Sequence, residues 1–337
     1  MLELLFLSGD DVAALELSVD DVLGTVELAL RAQGGGEVVL EPREHLVPDP
    51  EFHGHFNLLR CYVAPLGVAG VKVVGDYVDN WRLGLPSELA LLTLYDARTG
   101  VPVAIVDATE ITERRTGAVT ALGARYLAPR GARVLGHVGA RGTAFSNVTM
   151  LDHLFDFAEI RVTSKRSESR EAFGRRLEEA LGKPVRVVET VREAVEGADV
   201  VVEATRLARP EPILRTEWIK PGALVIPYGT VSAVELTLTD VMDKVVVDDW
   251  GQATRGPFGA LRSHVDTGRM TRETIHAELA EIVVGKKAGR ESEDETILFW
   301  HRGLATTDVA VGHLLVQRAR ERGLGTTLPY RRDTPGV

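Results

Sequence analysis

The chain reads as an α/β protein of two domains, and three observations carry that reading. From Arg133 onward, short apolar runs alternate with helical segments, the rhythm of a parallel sheet wrapped by helices. Before that point, strand-like runs are joined by hairpin turns, the rhythm of an antiparallel sheet. Between the two, Pro129-Arg-Gly131 breaks a long amphipathic segment and marks a boundary near residue 130. At 337 residues the chain is long enough for two cores.

Met1 to Asp10 is apolar but carries Glu3 and no basic leader, so it reads as a first strand. Ser18 is an N-cap candidate. The segment after it repeats apolar residues at helical spacing until Gly34–Gly36 stop it. Strands are expected at Val71–Tyr77, Leu89–Tyr95 and Val101–Val106, the last two joined through Asp96-Ala-Arg-Thr-Gly100. Thr109 to Leu127 reads as a long amphipathic helix. The later strands are expected at Arg133–Val138, Glu159–Thr163, Val185–Val188, Val200–Ala204, Leu224–Pro227 and Lys244–Val247. Val200-Val-Val-Glu-Ala204 and Leu224-Val-Ile226 are nearly all apolar, as strands covered on both faces should be. Thr271–Val284 and Ala305–Glu321 are expected helices.

Composition narrows the function. Net charge is −10, against general nucleic-acid binding. No stretch approaches the roughly 18–20 apolar residues of a membrane span. The single cysteine, Cys61, allows no internal disulfide and fits a reducing, cytoplasmic setting. His264 and His276 lack ligand partners at coordinating spacing, so no metal is expected.

The most informative stretch is Arg133-Val-Leu-Gly-His-Val-Gly-Ala-Arg-Gly-Thr-Ala144. A strand ends in glycines and a helix follows. Such a turn brings backbone close to a pyrophosphate, and the helix N-terminus attracts its charge. The copy is irregular: Arg141 stands where the second glycine is expected, and the glycines fall at 136, 139 and 142. In its βαβ context the turn marks a Rossmann-type domain, with Gly139, Ala140, Arg141, Gly142, Thr143 and Ala144 against the cofactor. The second strand ends in Ser164, Lys165 and Arg166, which can meet a 2′-phosphate and favour NADP over NAD. The other reading is a solvated basic turn before a helix capped by Ser167.

The chain then resembles a known family, the ornithine cyclodeaminase/mu-crystallin proteins. The resemblance runs through Gly70-Val-Lys-Val-Val74, Asn80, Gly84-Leu-Pro86, Asp96-Ala-Arg-Thr-Gly100-Val-Pro102, Val106-Asp-Ala-Thr109, Thr112 and Arg115-Thr116. It continues in Gly197-Ala-Asp-Val-Val201, Ala204-Thr205, Lys220-Pro-Gly222, Val247-Asp-Asp249 and Gly303-Leu-Ala-Thr-Thr-Asp308. It implies a substrate and dimerisation domain from residues 1–127 with the C-terminal segment of about 306–337, a Rossmann domain over 128–305, and a homodimer. It also implies NAD(P)-dependent hydride chemistry at the α-carbon of a small amino or imino acid. The substrate carboxylate must be clamped so that one face meets the hydride, and arginine forks suit the clamp. The resemblance assigns Arg43, Lys72 and Arg115 to that clamp, and Thr116, Ala204, Thr205 and Gly229 to the cofactor.

Lys72 adds an argument of its own. It interrupts an apolar strand, and burial there demands an anionic partner; the other reading turns it outward. Arg43 sits between Pro42 and Pro48 in an expected loop, where a plain surface arginine is the other reading. His301, just before Gly303, can shuttle protons near neutral pH or be a hydrogen-bonded histidine at the domain junction.

The chain also departs from the family. Ornithine cyclodeaminases carry an aspartate in a segment that here is the shortened Tyr228-Gly-Thr-Val-Ser-Ala-Val-Glu-Leu236, without an aspartate. The expected activity is therefore an imino-acid reductase or amino-acid dehydrogenase. The alternatives are ornithine cyclodeamination and a non-catalytic NADP-binding role.

Overall fold

The computed structural model describes residues 2–140, 142–207, 209–229 and 231–331. The chain divides into two compact units. Met1–Arg115 with Leu304–Val337 forms one, and Thr116–Gly303 forms the other.

The first unit is built on β1 (Leu2–Leu7), β2 (Val38–Leu46), β3 (Gly54–Val63), β4 (Val68–Tyr77), β5 (Glu88–Asp96) and β6 (Pro102–Asp107). The strand Thr326–Arg331 pairs with β1 at one edge, and the order from there is β1, β6, β5, β4, β3, β2. All pairs are antiparallel except β1 with β6. The β5–β6 turn closes as its sequence suggests. The Asp96 carboxylate accepts from the Thr99 backbone N–H at 2.8 Å, and Gly100 takes φ +71°. The Val19–Gly35 helix opens on a capping box, Ser18 with Asp21, and closes on left-handed Gly36.

One face of this sheet is buried: Leu59, Cys61 and Val63 on β3, Lys72 and Val74 on β4, Leu92 and Leu94 on β5. The Ala305–Arg322 helix lies on that face against β3, β4 and β5. Gly70 and Gly312 permit the approach, since a Cβ on either would meet Val309 or Leu92 at 2.5 and 2.2 Å.

The expectation for Arg43 changes here. Arg43 is not in a loop but inside β2, where Glu41 pairs with Arg60 and Glu44 with Leu58. Pro42 and Arg43 therefore stand opposite Leu59 alone, a β-bulge. The bulge turns Arg43 onto the buried face, where it is 7% exposed rather than a surface arginine. Lys72 likewise points inward, at 1% exposure. β2, β3 and the strand Thr326–Arg331 are not evident in the sequence, because their irregular apolar spacing acquires meaning only through pairing.

The second unit is a doubly wound sheet of β7 (Val134–Val138), β8 (Glu159–Thr163), β9 (Arg186–Val187), β10 (Val200–Glu203), β11 (Leu224–Pro227), β12 (Lys244–Val247), β13 (Ala277–Glu278) and β14 (Ile297–Trp300). The order is β13-β12-β14-β11-β10-β7-β8-β9, all parallel. The chain reverses direction of winding between β7 and β10. That is the switch point of a Rossmann-type sheet, where ligands bind beyond the carboxyl ends of the strands.

The expected helix over Thr271–Val284 is replaced by a turn, β13 and a short helix at Leu279–Val283. Ile275, Ala277 and Leu279 bury alternately, and pairing of β13 with β12 overrides the helical periodicity. Ser167 is the first helical residue rather than the cap; Arg166 holds the cap position and its side chain makes no capping bond. The units divide at Arg115/Thr116, inside the Thr109–Leu127 helix, whereas the sequence boundary lies at that helix's end. The helix's later turns pack onto the second unit: a Cβ on Gly117 would lie 2.6 Å from the Ser146 carbonyl, and one on Gly123 would lie 2.3 Å from the Phe299 ring. No helix among the described residues is long and apolar enough to cross a membrane.

Candidate active site

In the first unit, three charged groups converge on the buried sheet face. Lys72 Nζ lies 2.5 Å from Asp308 Oδ1, and Arg115 Nε donates to the same oxygen at 2.7 Å. Lys72 also donates to Thr112 Oγ1 at 3.1 Å, and that hydroxyl donates to the Ala108 carbonyl. Lys72, Arg115 and Asp308 are 1%, 5% and 0% exposed. Asp308 sits in the first turn of the Ala305–Arg322 helix, where the helix dipole favours its charge.

Burial pushes the Lys72 ammonium down to about 7, aided by the neighbouring Arg115 and opposed by Asp308. Burial alone raises Asp308, but the Arg115 and Lys72 charges outweigh it and hold the carboxyl below its ordinary value. Lys72 and Arg115 share the Asp308 carboxylate, and Glu88 adds a second, weaker negative influence on Lys72. Across the sheet, Leu59 pairs with Lys72, and the β2 bulge faces Leu59 from the other side. Arg43 and Lys72 thus flank one residue on one buried face. An enclosed face bearing arginine forks beside a lysine suits a small carboxylate. All three cations are identifiable in the sequence. Asp308 stands there only within a motif and without a role; an acid among apolar helix positions is the available signal.

In the second unit, the glycine turn follows β7. Gly139 takes φ +115°, and a Cβ there would sit 2.6 Å from the Ala204 carbonyl. Gly136 is equally constrained, since a Cβ on it would lie 2.3 Å from the Ala194 carbonyl. Gly142 is also left-handed, and the helix starts at Ala144 with Thr143 at its cap. Arg141 lies outside the described residues. Such a turn, too tight for side chains and feeding a helix N-terminus, fits a dinucleotide pyrophosphate.

Ala204 and Thr205 follow β10, and Gly229 follows β11, so the structure gathers these expected cofactor residues at the carboxyl edge of the sheet. Ser164, Lys165 and Arg166 follow β8, the basic pair being exposed. The Ser164 hydroxyl donates to the Arg166 carbonyl at 3.3 Å. Thr116 is buried, its carbonyl accepting from Thr120 Oγ1 at 3.1 Å.

Beneath the turn runs a buried polar network that sequence reasoning does not reveal. Thr120 Oγ1 meets His301 Nε2 at 2.9 Å and Asn147 Oδ1 at 3.1 Å. The Asn147 amide donates to the Tyr228 hydroxyl, which meets Thr143 Oγ1 at 2.5 Å. His137 Nδ1 meets the Gly139 carbonyl at 3.0 Å, and burial pushes this histidine down to about 4. His301 is fully enclosed, stacked with Tyr228 at 4.7 Å and with Phe299 at 5.2 Å between ring centres. In the shortened segment after β11, the Glu235 carboxylate is taken up by Arg215 at 2.6 Å and the Thr216 N–H at 2.8 Å. Among the described residues no metal-binding cluster forms.

A Rossmann-type unit together with a second unit that buries a Lys–Arg–Asp cluster defines a class of two-part dinucleotide proteins. The family model of that class, "Ornithine cyclodeaminase/mu-crystallin family", matches residues 3–323. The chain belongs to the ornithine cyclodeaminase/mu-crystallin family. It is 30% identical over 335 residues to alanine dehydrogenase of Archaeoglobus fulgidus, covering 98% of this chain and 100% of that one. It superposes on the Delta(1)-pyrroline-2-carboxylate reductase of Thermococcus litoralis, solved in complex with NADH and L-proline, with TM-score 0.89 and 29% identity, covering 96% and 99% of the two chains. An archaeal alanine dehydrogenase dimer with bound NAD matches with TM-score 0.89 and 29% identity, covering 98% and 100%.

Proposed function

We propose that this protein is an NAD(P)-dependent oxidoreductase acting at the α-carbon of a small α-amino or α-imino acid. The observation that carries the reading is the buried cluster of Lys72, Arg115 and Asp308, with Arg43 on the same face. When bound, the nicotinamide supplies or accepts the hydride. Gly139, Ala140, Gly142, Thr143 and Ala144 would hold its pyrophosphate, with Thr116, Ala204, Thr205 and Gly229 around it. Arg43 and Arg115 hold the substrate carboxylate. Lys72, near neutrality in its titration, gives a proton to the imine nitrogen on reduction and takes it back on oxidation. His301 is assigned to the buried network rather than to the proton step, because its ring is fully enclosed, stacked with Tyr228 and Phe299 and tied to Thr120.

The deciding assay follows NAD(P)H and ammonia together over a panel of amino acids, cyclic imines and 2-oxo acids. Stoichiometric change of NAD(P)H supports this reading. Ammonia release from L-ornithine with only catalytic cofactor supports the cyclodeaminase instead, and cofactor binding with no turnover supports a binding protein.

Cofactor choice follows from the turn after β8. Lys165 and Arg166 favour NADP, each offering a charged hydrogen bond to a 2′-phosphate of about 1.5–3 kcal/mol. Replacing both by alanine lowers NADPH affinity by roughly 100-fold or more and leaves NADH affinity unchanged, as read by fluorescence titration. An equal loss for both cofactors removes the argument.

The outward sheet face of the first unit is the dimer surface in this reading. Val39, Val73, Leu89 and Leu91 are 55%, 38%, 44% and 53% exposed, and Val73 pairs directly with Leu91 across β4 and β5. An apolar sheet face of this kind marks an interface. Light scattering is expected to give a dimer for the native chain and a monomer for Leu91→Arg. A dimer in both moves the interface elsewhere. A cytoplasmic location rests on Cys61, buried and alone.

A further inference from the structure

Glu203 is the last residue of β10 and has 0% exposure, although no step above uses it. Its Oε1 accepts from the Thr205 backbone N–H at 2.7 Å and from Thr205 Oγ1 at 2.5 Å. Its Oε2 accepts from the Gly229 N–H at 3.3 Å. A Cβ on Gly229 would lie 2.8 Å from both carboxylate oxygens and from the Thr205 carbonyl, so only glycine admits this close approach of the two turns. Ala204, between Glu203 and Thr205, has its carbonyl packed where a Gly139 side chain would be. One buried carboxylate therefore stands behind the turns after β10 and β11 and, through Ala204, behind the glycine turn after β7.

We propose that Glu203 is a positioning residue of the cofactor site, its carboxylate tying Thr205 to Gly229 so that the turns around the dinucleotide keep their spacing. The inference rests on the cofactor reading above. A buried acid is a costly way to join two turns, because it must be desolvated. An apolar side chain would fill the space but leave three donors unmet. The geometry explains the choice of residue: three donors converge from two turns, and only a carboxylate accepts all of them.

Burial pushes Glu203 up to about 7 against those three hydrogen bonds. The titratable side chains on the surrounding elements are His137 on β7, Tyr228 beside Gly229 and Arg206 beside Thr205. His137 is held neutral by burial, and the causes of the Glu203 shift include no charge–charge contribution. Above about pH 7 the carboxylate accepts from both turns. Below it, the added proton displaces one donor and loosens the tie, so cofactor affinity rises with pH through neutrality.

The test is NADH binding by fluorescence titration between pH 5.5 and 8.5, for the native chain, Glu203→Gln and Glu203→Asp. NADH is the probe because the NADPH 2′-phosphate itself titrates at about 6. In Glu203→Gln the amide oxygen can still serve Thr205, while the amide nitrogen faces the Gly229 donor. That variant is expected to bind NADH on the order of tenfold more weakly at pH 8, the loss of one hydrogen bond, with a flat pH profile. Glu203→Asp keeps titrating but reaches less far, and it gives an intermediate affinity with the pH dependence retained. This second variant carries the test where the glutamine protein does not fold. Native affinity and pH profile in both variants overturn the proposal, as does lowered thermal stability with unchanged NADH binding. A native chain that binds neither NADH nor NADPH overturns the cofactor reading itself.

Discussion

Lys72→Met lowers kcat/KM on the best amino- or imino-acid substrate by about 10³-fold, a loss of roughly 4 kcal/mol of transition-state stabilisation. The side chain combines two tasks. As an ammonium it adds to the charge that draws the carboxylate in, and with its titration near 7 it exchanges a proton at neutral pH. Methionine keeps the length and removes both. The fold should tolerate the change, because Asp308 retains Arg115 at 2.7 Å. Lys72→Arg separates the tasks. Arginine preserves charge and carboxylate binding but does not titrate in this range. For the native protein, kcat/KM in the reductive direction falls as pH rises through about 7, because the ammonium form is lost; the oxidative direction rises over the same interval. In Lys72→Arg that limb disappears. A Lys72→Met protein with native kcat/KM would sink the assignment, and a Lys72→Arg protein with the native pH limb would move the proton to another group.

Asp308→Ala destabilises the protein by about 3–5 kcal/mol, because it removes the carboxylate that both buried basic groups contact directly. For a unit of this size that lowers the thermal midpoint on the order of 10 °C. Asp308→Asn is the finer probe. It keeps the shape and removes the charge that raises Lys72, so the Lys72 limb of the pH–rate profile shifts to lower pH. The sign follows from the cluster: Asp308 favours the ammonium, and its neutralisation lets burial and Arg115 push Lys72 further down. An unchanged midpoint in Asp308→Asn would mean that another group produces the limb. Unchanged stability in Asp308→Ala would mean that water already compensates the two cations.

Several elements are legible in the sequence to the residue. Glu159–Thr163, Leu224–Pro227 and Lys244–Val247 have the same bounds in sequence and structure, as does the Thr109–Leu127 helix. In these segments local preference, apolar pattern and final burial agree. Lys72 is legible because it interrupts an apolar strand, whereas Arg43 and Arg115 are singled out by the family resemblance. Thr271–Val284 misleads because its apolar spacing suits a helix until β12 offers a pairing partner.

The sequence by itself determined the two-part α/β architecture, the strand-to-helix glycine turn and the cationic character of the site, all of which depend on neighbours within a few residues. Tertiary structure alone decided which acid meets which base. Asp308 reaches Lys72 across 236 positions of chain, and Arg115 across 193. Arg43 faces inward only because a bulge sets two residues of β2 against one of β3. Glu203 meets Thr205 within its own turn, but it reaches Gly229 only when the turns after β10 and β11 lie side by side. Burial sets the charge and titration of these groups, and burial is a property of the packed sheet face, which no local stretch of sequence contains.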